Sequence, residues 1–121
     1  MDLVEARRYL GVTVSKTEYA ARTRRKLPFT ITIDYVMKLL KEQNGKCALT
    51  GWNLQFTRGG DFGYGTNPMG CTMDRIDNNK GYVPGNVQLV CWMPNKIKGE
   101  LHDHEFKNLC ESVVNHAKRI A

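Results

Sequence analysis

The carboxylate of Asp74 and the side-chain amide of Asn95 are hard oxygen donors of the kind that Mg²⁺ or Mn²⁺ accepts. The residues between them are patterned to bring the two together. Gly70-Cys71-Thr72-Met73-Asp74 and Asn86-Val87-Gln88-Leu89-Val90-Cys91 each alternate apolar and polar, as short strands do. Asp77-Asn78-Asn79-Lys80-Gly81 and Pro84-Gly85 supply turn chemistry between them, and Pro94 suits the first turn of a short helix ending near Gly99. Strand, strand and helix can place Asp74 and Asn95 across one small hairpin. Mg²⁺ needs only one or two protein ligands and takes the rest from water and phosphate. A two-ligand site beside a basic surface is what metal-assisted phosphodiester hydrolysis requires.

The chain does carry a basic surface. Its 18 Lys and Arg exceed its 12 Asp and Glu, for a net charge of +6, which favours a polyanionic partner because each neutralised phosphate releases counterions. Four of these cations, Arg22, Arg24, Arg25 and Lys26, fall within five positions and form either a solvated helical face or a strip that follows phosphates. Hydrophobic residues make up 41% and charged residues 25% of the 121 positions, a folded rather than a disordered composition. No apolar run approaches the ~20 residues of a membrane span, and the acidic start, Met1-Asp2-Leu3-Val4-Glu5, is unlike a secretion signal. The expected compartment is the cytoplasm. Cys47, Cys71, Cys91 and Cys110 form no C-x-x-C pair, so they are read as small buried hydrophobes rather than as a disulfide framework or a closed zinc site.

Other elements must position the hairpin. Ile33, Val36, Met37 and Leu40 recur with helical spacing after the cap Thr32, and Asn44-Gly45 stops that helix. A last helix is predicted from Asp103 as cap, with Phe106, Leu109, Cys110, Val113, Val114, Ala117 and Ile120 on one apolar face. Residues 55–70, rich in glycine, read as a loop.

Taken in order, Cys47-Ala48-Leu49-Thr50-Gly51, Asp74-Arg75-Ile76-Asp77, Gly81-Tyr82, Asn86-Val87 and Asn95-Lys96-Ile97-Lys98 resemble the motifs of the HNH endonucleases, especially small phage-borne and homing-type members. The resemblance spans residues 44–98. It implies an α+β fold: a ββα-metal (HNH) hairpin-plus-helix core flanked by N-terminal and C-terminal helices. One nuclease domain over residues 1–121 is expected, with a basic segment at 1–30, the core at 44–98 and the last helix at 102–121. Asp74 and Asn95 resemble the metal ligands, for one Mg²⁺ or Mn²⁺. Asn86 resembles the middle asparagine that braces the loop, and Lys98 is expected to reach a phosphate. Duplex DNA is the expected substrate, contacted by Arg22, Arg24, Arg25, Lys26, Arg75, Lys96 and Lys98, and pairing of two copies for double-strand cleavage is allowed.

The sequence departs from the family at two places. Arg75 stands where most members carry the histidine that activates water, and a guanidinium is never deprotonated under these conditions. It can instead clamp the scissile phosphate. A branch of the family related to restriction enzymes has Arg here and uses a tyrosine as base; Tyr64, Tyr82, His102 and His104 are the candidates. Cys47-x-x-Thr50 and Cys91-x-x-Pro94 each keep only one cysteine of the family's zinc-binding pairs, so zinc is not expected. Two further readings stay open: a binding module that kept the fold but lost catalysis, and a nuclease for RNA or structured junctions.

Overall fold

The computed structural model describes residues 1–59 and 66–121. Helix α1 (Leu3–Ala20) is opened by Asp2, whose carboxylate accepts the backbone N–H groups of Val4 and Glu5 at 3.0 and 3.2 Å. The sequence pattern does not announce this helix, because the side chains it buries are Ala6, Leu10 and Thr13, two of them small and one polar. Their spacing of four and three still makes one helical face. The chain then winds through a π turn, Ala21–Arg25, and leaves it at Lys26 in the left-handed conformation (φ 56°). The basic strip lies on this turn.

Helix α2 (Ile33–Glu42) matches its sequence signals. The Thr32 hydroxyl accepts the Tyr35 N–H at 3.1 Å, Val36 and Leu40 are buried, and Asn44 and Gly45 at positive φ turn the chain away. Strands β1 (Cys71–Arg75) and β2 (Val87–Cys91) pair antiparallel, with Cys71 opposite Cys91, Met73 opposite Leu89 and Asp74 opposite Gln88. Alternation in the sequence implies one solvated face. The structure instead leaves only Thr72 and Gln88 partly exposed, because α1 packs on β1, α2 on β2, and the next helix on both. That helix, α3 (Trp92–Lys98), follows β2 without a linker and carries Pro94 in its first turn.

The knuckle at residues 47–51 is a packing element. Cys47 accepts the Cys91 N–H at its sulfur (3.3 Å), and the Ala48 N–H reaches Leu89 O at 3.0 Å. Burial pushes the Cys71 thiol well up and the Cys91 thiol to about 12. For Cys47, burial acts the same way but is outweighed by hydrogen bonds from Thr50, Cys91 and Leu49, so its thiol is lowered.

Helix α4 (Asp103–Ile120) differs from expectation in its cap and in its apolar face. His102, not Asp103, precedes it, with the His102 backbone N–H held by the Glu105 carboxylate at 2.9 Å. Asp103 is released from capping and turns inward. Of the apolar face only Phe106 is buried; Leu109, Val113, Val114 and Ile120 are exposed, Ile120 by 71%. The apolar stripe read from the sequence therefore projects from the body.

The hairpin connection is clamped against the N-terminal half by backbone hydrogen bonds and a ring contact. Tyr82 N–H donates to Pro28 O at 2.9 Å, Thr30 N–H donates to Tyr82 O at 2.9 Å, and the Phe29 and Tyr82 rings meet at 5.5 Å. Gly81 makes this approach possible, since a Cβ there would sit 2.3 Å from Pro28 O. Gly81→Ala is therefore expected to destabilise the protein by about 1–3 kcal/mol or more, read as a lowered urea midpoint; an unchanged midpoint would show that the clamp can open without loss.

Candidate active site

Asp74 and Thr72 lie two residues apart on β1 and so share one face of the hairpin, with Gln88 directly across from Asp74. Helix α3 covers that face and brings Asn95 and Lys98 to it. Asn95 Nδ2 donates to Thr72 Oγ1 at 2.8 Å and to Met73 O at 3.4 Å. The Thr72 hydroxyl has already given its proton to Val90 O at 2.9 Å, so it can only accept from Asn95. The amide orientation follows: nitrogen towards the strand, Oδ1 away from it.

The Asp74 carboxylate is similarly divided. Its Oδ2 accepts from Lys98 Nζ at 2.6 Å and from Gln88 Nε2 at 2.9 Å. Its Oδ1 has no hydrogen-bond partner among the described residues, and no fully buried side-chain oxygen there is left unpaired, so Oδ1 retains a small accessible surface on a largely buried side chain. Asp74 and Asn95 both line a cleft of about 380 Å³, together with Arg25, Arg75, Asn78, Tyr82, Trp92, Lys96 and Glu100. Two oxygen donors of the hard type, each held by its other atom and neither otherwise engaged, fit a divalent cation of the Mg²⁺ or Mn²⁺ kind. The donor set is chemically wrong for a soft metal.

The other sequence-derived candidates separate into those at the cleft and those away from it. Arg75 is at the cleft but only 9% exposed; its Nη1 donates to Asn78 O at 2.7 Å and Lys80 O at 3.2 Å, and its guanidinium stands 5.5 Å from the centre of the Tyr82 ring. Its Nε and Nη2 have no partner among the described residues. Lys96 lines the cleft beside Trp92.

Lys98 does not reach out to a phosphate. It is 1% exposed, with Nζ between Asp74 Oδ2 (2.6 Å), Asp103 Oδ1 (2.7 Å) and Arg75 O (2.9 Å). Asp74 and the Arg75 carbonyl take hydrogen bonds from it, and Asp103 pairs with it by charge. Asn86 also lies away from the cleft: its Oδ1 accepts Asp77 N–H at 2.8 Å, and its Nδ2 donates to Asp77 O and Gly81 O at 3.1 and 2.8 Å. It holds the connection closed and touches nothing in the cleft.

The basic strip divides as well. Arg25 enters the cleft, where Nη1 donates to the Tyr82 hydroxyl at 2.7 Å. Arg22 is held by Glu18 at 2.8 Å and Phe29 O at 3.2 Å. Arg24 and Lys26 are exposed and form no side-chain hydrogen bond or ion pair among the described residues.

Of the four candidate bases, Tyr82 lines the cleft and Tyr64 falls outside the described residues. His102 and His104 stack on each other at 5.8 Å, outside the cleft lining. His102 Nδ1 accepts the Asn78 N–H at 3.3 Å and lies 3.4 Å from Asp77 Oδ1. Sequence reading missed Gln88, Glu100 and Asp103. The alternation of β2 put Gln88 on the polar face and so offered a signal; Asp103 offered only that of a helix cap.

No family model matches the chain, and no curated protein matches it. Among solved structures it is similar to the rare-cutting HNH restriction endonuclease PacI, a structure described with a mechanism of DNA perturbation. The likeness has a TM-score of 0.60 at 23% sequence identity and covers 91% of this chain and 81% of that one. The likeness shows that this chain has an HNH-type nuclease fold.

Proposed function

We propose that the protein is a divalent-metal-dependent endonuclease that hydrolyses phosphodiester bonds in DNA. The observation that carries this reading is the pair of unengaged oxygens, Asp74 Oδ1 and Asn95 Oδ1, in a cleft whose other charged walls are mostly cationic: Arg25, Arg75 and Lys96 against Glu100. Similarity to a DNA-cutting restriction enzyme adds support. Asp74 and Asn95 would hold Mg²⁺ or Mn²⁺. When bound, such an ion supplies charge stabilisation at the phosphoryl and leaving oxygens.

The chain's own residues divide the remaining work. Arg75 offers Nε and Nη2 to a phosphate and, permanently charged, stabilises the extra negative charge of the transition state. The proton acceptors lining the cleft besides Asp74 are Tyr82 and Glu100. Arg25 holds the Tyr82 oxygen in the cleft as a hydrogen-bond acceptor, whereas Glu100 stands exposed. Tyr82 is therefore the proposed base. In plasmid nicking with Mg²⁺ or Mn²⁺, Asp74→Ala is expected to fall to background. Tyr82→Phe should slow cleavage by about 100-fold or more, and Glu100→Gln only slightly. Full nicking by Asp74→Ala would end the endonuclease reading; DNA binding by the wild type without nicking would favour a binding module.

Arg24 lies on the same turn as Arg25 and Lys26 closes it, both exposed outside the cleft lining. They supply the phosphate contacts we propose outside the cleft. The affinity of Arg24→Ala/Lys26→Ala for duplex DNA should depend less steeply on salt, by roughly one to two units of log–log slope, and weaken for all sequences alike. A wild-type slope would remove the strip from the interface.

For α4 the proposed partner is a second copy of this chain. Most of a helix's stability in a protein comes from packing of its apolar face, and beyond Phe106 that face of α4 is exposed. In an antiparallel pair, Glu111 of each copy meets the Lys118–Arg119 end of the other, and the helix dipoles oppose. Light scattering should give a dimer for the wild type and a monomer for Val113→Asp; a wild-type monomer at tens of micromolar would contradict the pairing.

A further inference from the structure

Asp103 opens the last helix, just beyond the last motif, and its side chain is only 17% exposed. Its Oδ1 lies 2.7 Å from Lys98 Nζ, and both of its oxygens accept from Gln88 Nε2 at 3.1 Å. Gln88 Nε2 also donates to Asp74 Oδ2 at 2.9 Å, so one amide and one ammonium bridge the two carboxylates. The other charge facing Asp103 is Lys107, one helical turn on, at 3.9 Å and largely exposed.

This arrangement addresses a difficulty in the cleft. A buried lysine 2.6 Å from a carboxylate cancels its charge, and a neutralised ion pair is a poor ligand for a hard cation. With Asp103 present, the ammonium is shared between two carboxylates and the trio carries one net negative charge. Both bridging donors also land on Asp74 Oδ2, which leaves Oδ1 for the cleft.

We propose that Asp103 is a positioning residue for the metal site: a counter-charge that occupies Lys98 and Gln88 so that Asp74 keeps the charge and orientation to bind a divalent cation. This rests on the reading of Asp74 as a metal ligand. It makes the first residue of α4 part of the site although it touches neither metal nor substrate.

The test is Mn²⁺ binding, followed by calorimetry and by the electron-spin signal of free Mn²⁺, on the full chain without DNA. Asp103→Asn keeps the size and one acceptor oxygen but removes the charge. It should weaken Mn²⁺ binding by roughly tenfold and raise the Mn²⁺ needed for half-maximal nicking by the same factor. The rate at saturating Mn²⁺ should stay within about threefold of wild type; a merely structural role would instead lower the rate at every Mn²⁺ concentration. Should Asp103→Asn fail to fold, Asp103→Ser, which a helix start accepts, carries the same test. Wild-type Mn²⁺ affinity in a folded variant overturns the proposal and leaves the Asp74 site standing. Equal Mn²⁺ binding by wild type and Asp74→Ala overturns both.

Discussion

An ammonium with 1% of its surface exposed has lost nearly all its water, and removing that water costs several kcal/mol unless the protein replaces it. Around Lys98 the replacement comes from Asp74 and the Arg75 carbonyl on β1 and from Asp103 at the head of α4, while the lysine itself closes α3. Three elements are thereby tied at one atom. Loss of any one acceptor leaves a buried charge short of compensation, and the loss falls beside Asp74. The clamp is therefore a condition on the geometry of the cleft as well as on the stability of the fold.

The second constraint is the closure of the hairpin connection, which depends on polar groups rather than on apolar area. Asn86 satisfies Asp77 N–H, Asp77 O and Gly81 O from a buried position, and Arg75 holds Asn78 O and Lys80 O from the other side. Between them they shape the wall on which Tyr82 stands. Backbone hydrogen bonds from Tyr82 to Pro28 and from Thr30 to Tyr82 then bring the π turn alongside, so that Arg25 meets the Tyr82 hydroxyl. A cationic turn from the start of the chain and a carboxylate from its middle thus line one cleft.

The remaining elements serve this centre through the core. Leu10 and Ala6 of α1, Val36 and Leu40 of α2, and Leu89 and Cys71 of the hairpin are all buried almost completely, and they fix the strands on the face away from α3. Helix α4 is the exception, with only its first turns joined to the body and its apolar stripe turned to solvent.

Local pattern alone determined several features. Thr32, the spacing of Ile33, Val36 and Leu40, and Asn44-Gly45 specify α2, because capping and periodicity are properties of neighbouring residues. The two strands, the helix carrying Pro94 and the residue types at Asp74 and Asn95 were legible for the same reason, and so was the inability of Arg75 to act as a base. Helix α1 was not, because it packs through alanine and threonine, whose burial depends on what lies opposite. Nor were the roles of charged side chains: Lys98, Arg22 and Arg25 are the same kind of cation in sequence, yet one is sealed between carboxylates, one is held at the surface and one enters the cleft. Asp103 reads as a helix cap and becomes a partner of Lys98. Which charge is compensated and which is left to meet a ligand is set by long-range pairing and desolvation, and only the tertiary structure supplies those.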